Sequence, residues 1–122
     1  MNNVQLIGRL TGEVEKHTFT PSLSNCCRCT IALRGKGNTM DDKPTTYFFV
    51  IEAWGDVGFN LWQKARKGDK IGVSGYLKYE TFTRKDGTQG NAVKIVANSI
   101  DFLFDPHEDK PVLEDSEVLF PI

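Results

Sequence analysis

No apolar run in these 122 residues approaches the roughly 20 that a membrane-spanning helix needs, so no span is expected. The opening "MNNVQLIGRL" is too short and too polar to read as an export signal, which leaves the expectation of a soluble intracellular protein. Metal-ligating side chains are scarce. The three cysteines, Cys26, Cys27 and Cys29, fall within four residues, and the two histidines, His17 and His107, have no paired spacing. Zinc sites take four ligands, commonly from two separated pairs, so no metal site is expected. A disulfide within so short an extended run is also disfavoured, and an odd count would leave one thiol over. Cys27 and Cys29 instead read as small apolar residues alternating with Ile31 and Leu33 in a core. There is no P-loop, no metal-ligand cluster and no nucleophile–base pair. Asp41 and Asp42 lie in a polar loop, a poor place to hold catalytic geometry. A hydrolase or nuclease is therefore disfavoured, no catalytic residue is named, and no cofactor is expected.

Net charge is also scarce, at −1, but it is unevenly placed. Residues 1–104 carry 14 Lys and Arg against 10 Asp and Glu, while residues 105–122 carry one against six. A mildly basic body with an acidic tail suits an anionic partner, though weakly. Hydrophobic residues at 39% and charged residues at 25% describe a chain that folds, and its length suits one domain with one modest core.

What is present is a series of short strands. "NNVQLIGRLTG" gives the first, with Val4 and Leu6 on one side, and "CCRCTIALRG" gives the second. "GKGNTMDDKPT" is a polar hairpin loop leading into "TTYFFVIEAWG". Alternation along that third strand puts Tyr47, Phe49, Ile51 and Ala53 on one face and Phe48, Val50, Glu52 and Trp54 on the other. Both faces carry aromatics, and only one can be the core. The period then changes: Val57, Leu61 and Ala65 in "DVGFNLWQKARKG" share a helix face, with Gly68 expected as the stop and Trp62 packing the helix onto the barrel. "KIGVSGYLKYETF" is the fourth strand, whose Gly72 and Gly75 suit a bend or bulge. "RKDG" is a hairpin turn, and "NAVKIVANSIDFLF" is the fifth strand. The order predicts an all-β fold, a five-stranded OB-fold barrel with one helix between the third and fourth strands, over residues 1–104. Residues 105–122 then form a short acidic C-terminal tail.

The residues also resemble a known family, that of the bacterial-type single-stranded DNA-binding proteins. "MNNVQLIGRLTGEVE" is similar to its opening Ile-Gly-Arg-Leu strand, and "TFTPSLSNCCRCTIAL" to its Thr-Pro-Ser turn and following strand. "YFFVIEAWG" is similar to its strand ending in an aromatic-Gly pair, and "KGDKIGVSGYLKYETF" to its Lys-Gly, Gly-x-Leu strand. The ordered set spans residues 1–104. The chain departs from the pattern at Leu23, at the cysteines, at Val50, and at Glu52, where an apolar residue is usual.

The resemblance implies sequence-tolerant binding and protection of single-stranded DNA in replication, recombination and repair, without catalysis. Phe48, Trp54 and Phe82 would be base-stacking platforms, since every base offers a π-face. Tyr47 stays open between surface and core edge. Arg9, Arg28, Arg34, Lys36, Lys43, Lys78, Arg84 and Lys85 would follow the phosphates, while Glu52 counts mildly against a phosphate-friendly face. Taken without the resemblance, Phe48 and Trp54 read as ordinary sheet packing, and Phe82 as a cross-strand pair. The resemblance further implies a homotetramer, with a homodimer as the alternative. It implies a bacterial cytoplasmic, nucleoid-associated location, or a plasmid- or phage-encoded copy. In the tail, Glu114, Asp115 and Glu117 precede Leu119, Phe120, Pro121 and Ile122, chemistry that would recruit replication and repair proteins. Alternative readings are a primosome-type accessory OB protein and a scaffold without nucleic-acid binding.

Overall fold

The computed structural model describes residues 1–19, 24–35 and 45–107. The predicted loop residues Lys36 and Lys43, and the tail residues Glu114 to Ile122, lie outside the described residues. The elements run β1 (Val4–Leu10), β2 (Glu15–Phe19), β3 (Ser24–Gly35), β4 (Thr45–Trp54), α1 (Gly55–Lys64), β5 (Lys70–Thr83) and β6 (Gln89–Phe102). The strand order is β1-β5-β6-β4-β3-β2, and an extra β1–β3 pairing, Arg9 with Ala32 and Leu10 with Ile31, closes the sheet. Five strands, β1, β3, β4, β5 and β6, thus form a closed barrel, which removes the free edges of an open sheet. β4 and β6 meet in parallel at Ile51–Ile95 and Glu52–Val96; the other pairings are antiparallel. This is the expected OB-fold, with its helix between the third and fourth barrel strands. The short β2 is an addition that the sequence reading missed. Among the described residues it pairs only with β3, Glu15 opposite Arg28 through Phe19 opposite Ser24, as a hairpin arm outside the closed barrel.

Alternation fills the interior. Leu10, Cys27, Cys29, Ile31, Ile51, Ala53, Ile71, Val73, Ile95 and Ala97 are buried together, and Leu61 and Ala65 plug the barrel from the helix side. Complete burial of an aliphatic side chain such as Ile51 or Leu61 contributes roughly 1.5–3 kcal/mol. Trp62 packs partly buried against this core, with Lys16 Nζ 4.1 Å over its ring.

One sequence expectation shifts by a few residues. The helix ends at Lys64 rather than running to Gly68, because Ala65 has already turned to an extended conformation. The Asp69 carboxylate accepts the Arg66 N–H at 2.7 Å and Asp69 N–H bonds Arg66 O at 3.0 Å, making a tight turn that competes with another helical turn. The bend in β5 falls at Ser74/Gly75, where the register with β6 slips. A Cβ at Gly75 would sit on the Val96 carbonyl oxygen, so only glycine admits the approach. The Asp-Gly turn lies where predicted: Gly87 has φ +89°, and Asp86 Oδ1 accepts both the N–H and the hydroxyl of Thr88. Beyond β6, Leu103 N–H bonds Lys70 O at 3.0 Å, Phe104 packs edge-on to Phe102, and His107 Nε2 meets Asp69 Oδ2 at 2.7 Å.

All three thiols are buried, and burial pushes the Cys29 thiol up to about 12. A thiol held neutral and out of solvent is inert towards disulfide reagents. In native protein at mildly alkaline pH, none of the three should react rapidly with an aromatic disulfide, and all three should react once denaturant is added. A single fast-reacting thiol in the native state would contradict this packing.

Candidate nucleic-acid interface

The register assembles one continuous outer face from four strands. Cys26, Arg28, Thr30, Ala32 and Arg34 of β3 stand opposite Trp54, Glu52, Val50, Phe48 and Thr46 of β4. Glu52 then neighbours Val96 of β6, and Val96, Lys94, Ala92 and Gly90 pair with Tyr76, Lys78, Glu80 and Phe82 of β5. Since a strand alternates its side chains, every residue in this chain of pairs points to the same side.

Four large aromatics stand out of it, three of them expected from the sequence. Phe48 is 63% exposed, Phe82 44% and Trp54 36%. Phe82 lies across Gly90, whose absent side chain leaves room for the ring, and the Arg84 guanidinium sits 5.3 Å from its centroid. Tyr76, exposed on the same face, was not singled out from the sequence. Tyr47 stands on the opposite face of β4, with its ring against Gly35. Trp54 is the last residue of β4, and Gly55, at φ +57°, turns the chain directly into α1.

At the centre lies Glu52, only 1% exposed. Its Oε1 accepts the Trp54 indole N–H at 3.0 Å and lies 3.7 Å from Lys78 Nζ. Its Oε2 lies 3.3 Å from Arg28 Nε and 3.5 Å from Lys94 Nζ. The two lysines also flank Glu80, Lys94 at 2.8 Å and Lys78 at 3.1 Å. Burial pushes the Glu52 carboxyl up, but the Trp54 hydrogen bond and the charges of Lys94, Lys78 and Arg28 prevail and hold it below its ordinary value. Glu80 is likewise lowered, by its hydrogen bonds to Lys94 and Lys78. Cys26, directly across from Trp54, is raised by its burial and by the Glu52 charge.

The structure gathers some of the cations expected at this face and disperses others. Arg28 and Lys78 join the Glu52 cluster, Arg34 is exposed beside Thr46, and Arg84 and Lys85 stand at the β5–β6 hairpin tip. Arg9 is drawn towards the turn after α1, donating to Gly68 O at 3.1 Å. Lys94 was missed by sequence reasoning, since it lies 42 residues from Glu52 and the β4–β6 pairing brings it there, beside Lys78 of β5. On the β1–β2 side, a groove lined by Thr11, Glu13, Glu15, Arg28 and Val50 gives the face an acidic border.

The lowered Glu52 value is a stability statement with a definite sign. The folded carboxyl binds its proton less readily than the unfolded one, so its contribution is present above the ordinary value of 4.5 and is lost as pH falls through the lowered value. Thermal unfolding of the wild type and of Glu52→Gln, followed from about pH 6 to about pH 3, should show a gap in Tm that is widest at the top and closes at the bottom. A gap that holds constant or widens on acidification would contradict the assignment.

Comparison with known proteins agrees with this geometry. The profile of the single-strand binding protein family matches residues 1–103. Single-stranded DNA-binding protein 1 of Clostridium acetobutylicum is 28% identical over 103 residues, covering 84% of this chain and 94% of its own. Single-stranded DNA-binding protein 1 of Streptococcus pyogenes is 31% identical over 84% of this chain and 78% of its own. The single-stranded DNA-binding protein of Clostridium perfringens is 32% identical over 84% and 66%. The chain belongs to the single-strand binding protein family, a family of non-enzymatic binding proteins.

Proposed function

We propose that the face built on β3, β4, β6 and β5 binds single-stranded DNA without strong sequence preference, in replication, recombination and repair. The observation that carries this reading is the exposure of Phe48, Trp54 and Phe82 on one continuous sheet face interleaved with Arg28, Lys78 and Lys94. Aromatic side chains that are not needed for the core are available to stack on bases, at about 1–3 kcal/mol per base. Cations between them offset phosphate charge. A duplex keeps its base faces inside its own stack and cannot use the aromatics. No helix among the described residues is long and apolar enough to cross a membrane.

We propose further that the chain assembles with copies of itself. Ile7 at 58% and Leu103 at 44% exposure border a groove over β1, β5 and β6, and Leu77, Tyr79 and Val93 are exposed on the hairpin arm. Apolar surface of this kind suits burial against copies of the same chain, in the tetrameric arrangement typical of the family. The acidic tail, with its apolar tip, is proposed to recruit replication and repair proteins, on the strength of its sequence chemistry.

Titration with oligo(dT) and with duplex of equal length, at low salt, should show the single strand bound far more tightly. Trp54→Ala should weaken oligo(dT) binding by about 1–3 kcal/mol. Equal competition by duplex would defeat the reading. Light scattering at micromolar concentration should give about four chain masses; one chain mass would defeat the assembly proposal, and two would favour the accessory-protein alternative.

A further inference from the structure

The Glu52 cluster does something that the stacking model does not need. A face built only to attract phosphate would leave its cations open, yet here three of them surround a carboxylate that is almost completely withdrawn from solvent. Glu80 approaches the same two lysines from the solvent side. Three positive charges thus meet two negative ones. The cations are not sealed in: the side chains of Arg28 and Lys78 are 33% and 42% exposed, and that of Lys94 is 14% exposed. A phosphate can reach them, but only one unit of positive charge is uncompensated.

Resting on the single-strand reading above, we propose that Glu52, backed by Glu80, is a positioning residue that holds Arg28, Lys78 and Lys94 in internal ion pairs and thereby limits the salt dependence of DNA binding. Counterion release scales with the phosphate charge that a protein neutralises, at about 0.7 in log–log slope per contact on a single strand. A cation already balanced by a protein carboxylate brings no net neutralisation. The cluster therefore acts as about one phosphate contact rather than three. Stacking then carries a larger share of affinity, and stacking does not depend on salt in this way. The arrangement keeps the three cations fixed between Trp54 and Phe82 while removing most of their pull on any polyanion, including duplex DNA.

The test uses the full 122-residue chain and fluorescently labelled oligo(dT), titrated at several salt concentrations from about 50 to about 500 mM. The variants are Glu52→Gln, Glu52→Asp, Glu80→Gln and Asp101→Asn. Glu52→Gln keeps an acceptor for the Trp54 indole but frees one cation. Its slope should steepen by about 0.7, so that its advantage over wild type shrinks roughly fivefold per tenfold rise in salt. Glu80→Gln, at a partly exposed residue that can change without unfolding the barrel, should steepen the slope similarly and decides the matter if Glu52→Gln does not fold. Glu52→Asp, which keeps the charge, should retain the wild-type slope. Asp101→Asn changes the net charge equally at an exposed position outside the cluster and should also retain it. Unchanged or shallower slopes for Glu52→Gln and Glu80→Gln would overturn the proposal, as would equal steepening by Asp101→Asn. Failure of the wild type to bind oligo(dT) would overturn the underlying reading, whereas wild-type binding with unaltered variant slopes would overturn only this inference.

Discussion

One carboxylate ties this face together. Glu52 is on β4, Arg28 on β3, Lys94 on β6 and Lys78 on β5, so a single buried side chain contacts all four strands that make the outer sheet face. Withdrawing a carboxylate from water costs several kcal/mol, and the cost is offset only when cations and hydrogen bonds surround it. The surroundings here meet that condition: three cations and the Trp54 indole N–H converge on the two oxygens. The converse also holds. Without the carboxylate, Arg28, Lys78 and Lys94 would face one another with like charge, and the order of the face would suffer.

The same constraint links the stacking residues to the fold. Trp54 ends β4, leads into α1 through the positive φ of Gly55, and is held at its indole edge by Glu52 two residues earlier. Phe82 lies far along the hairpin arm and is supported differently, by the bare backbone of Gly90 beneath it and Arg84 beside it. The arm exists because β5 and β6 each run 14 residues, well past the barrel they help close. The slip at Gly75 marks where the barrel wall bends into that arm. The rigid part of the face and its extension therefore rest on separate devices.

Much of the fold was legible because its signals are local. Alternation in "TTYFFVIEAW" separated the buried Ile51 and Ala53 from the outward Phe48 and Trp54, and the Asp86–Gly87 turn and the glycine bend in β5 lie where sequence placed them. β2 was not legible, because "EKHTF" has no apolar face of its own and becomes a strand only by pairing with β3. The helix end was set by the Asp69 side chain capturing Arg66, which outran the glycine signal at position 68. Glu52 was read as a charge working against the face; in the fold it is neutralised by partners drawn from three other strands.

The sequence by itself determined the succession of the five barrel strands, the placement of the helix and which residues share a strand face, because period and turn chemistry act over a few residues; that Phe48, Trp54 and Phe82 stand on an open face rather than in packing came from the family resemblance and is seen in the fold. The tertiary structure alone decided which charges meet. Lys94 and Glu52 are 42 positions apart, and the β4–β6 and β5–β6 registers bring their side chains to 3.5 Å. Ion pairing depends on distance in space, and no local pattern in the chain encodes that distance until the barrel has closed.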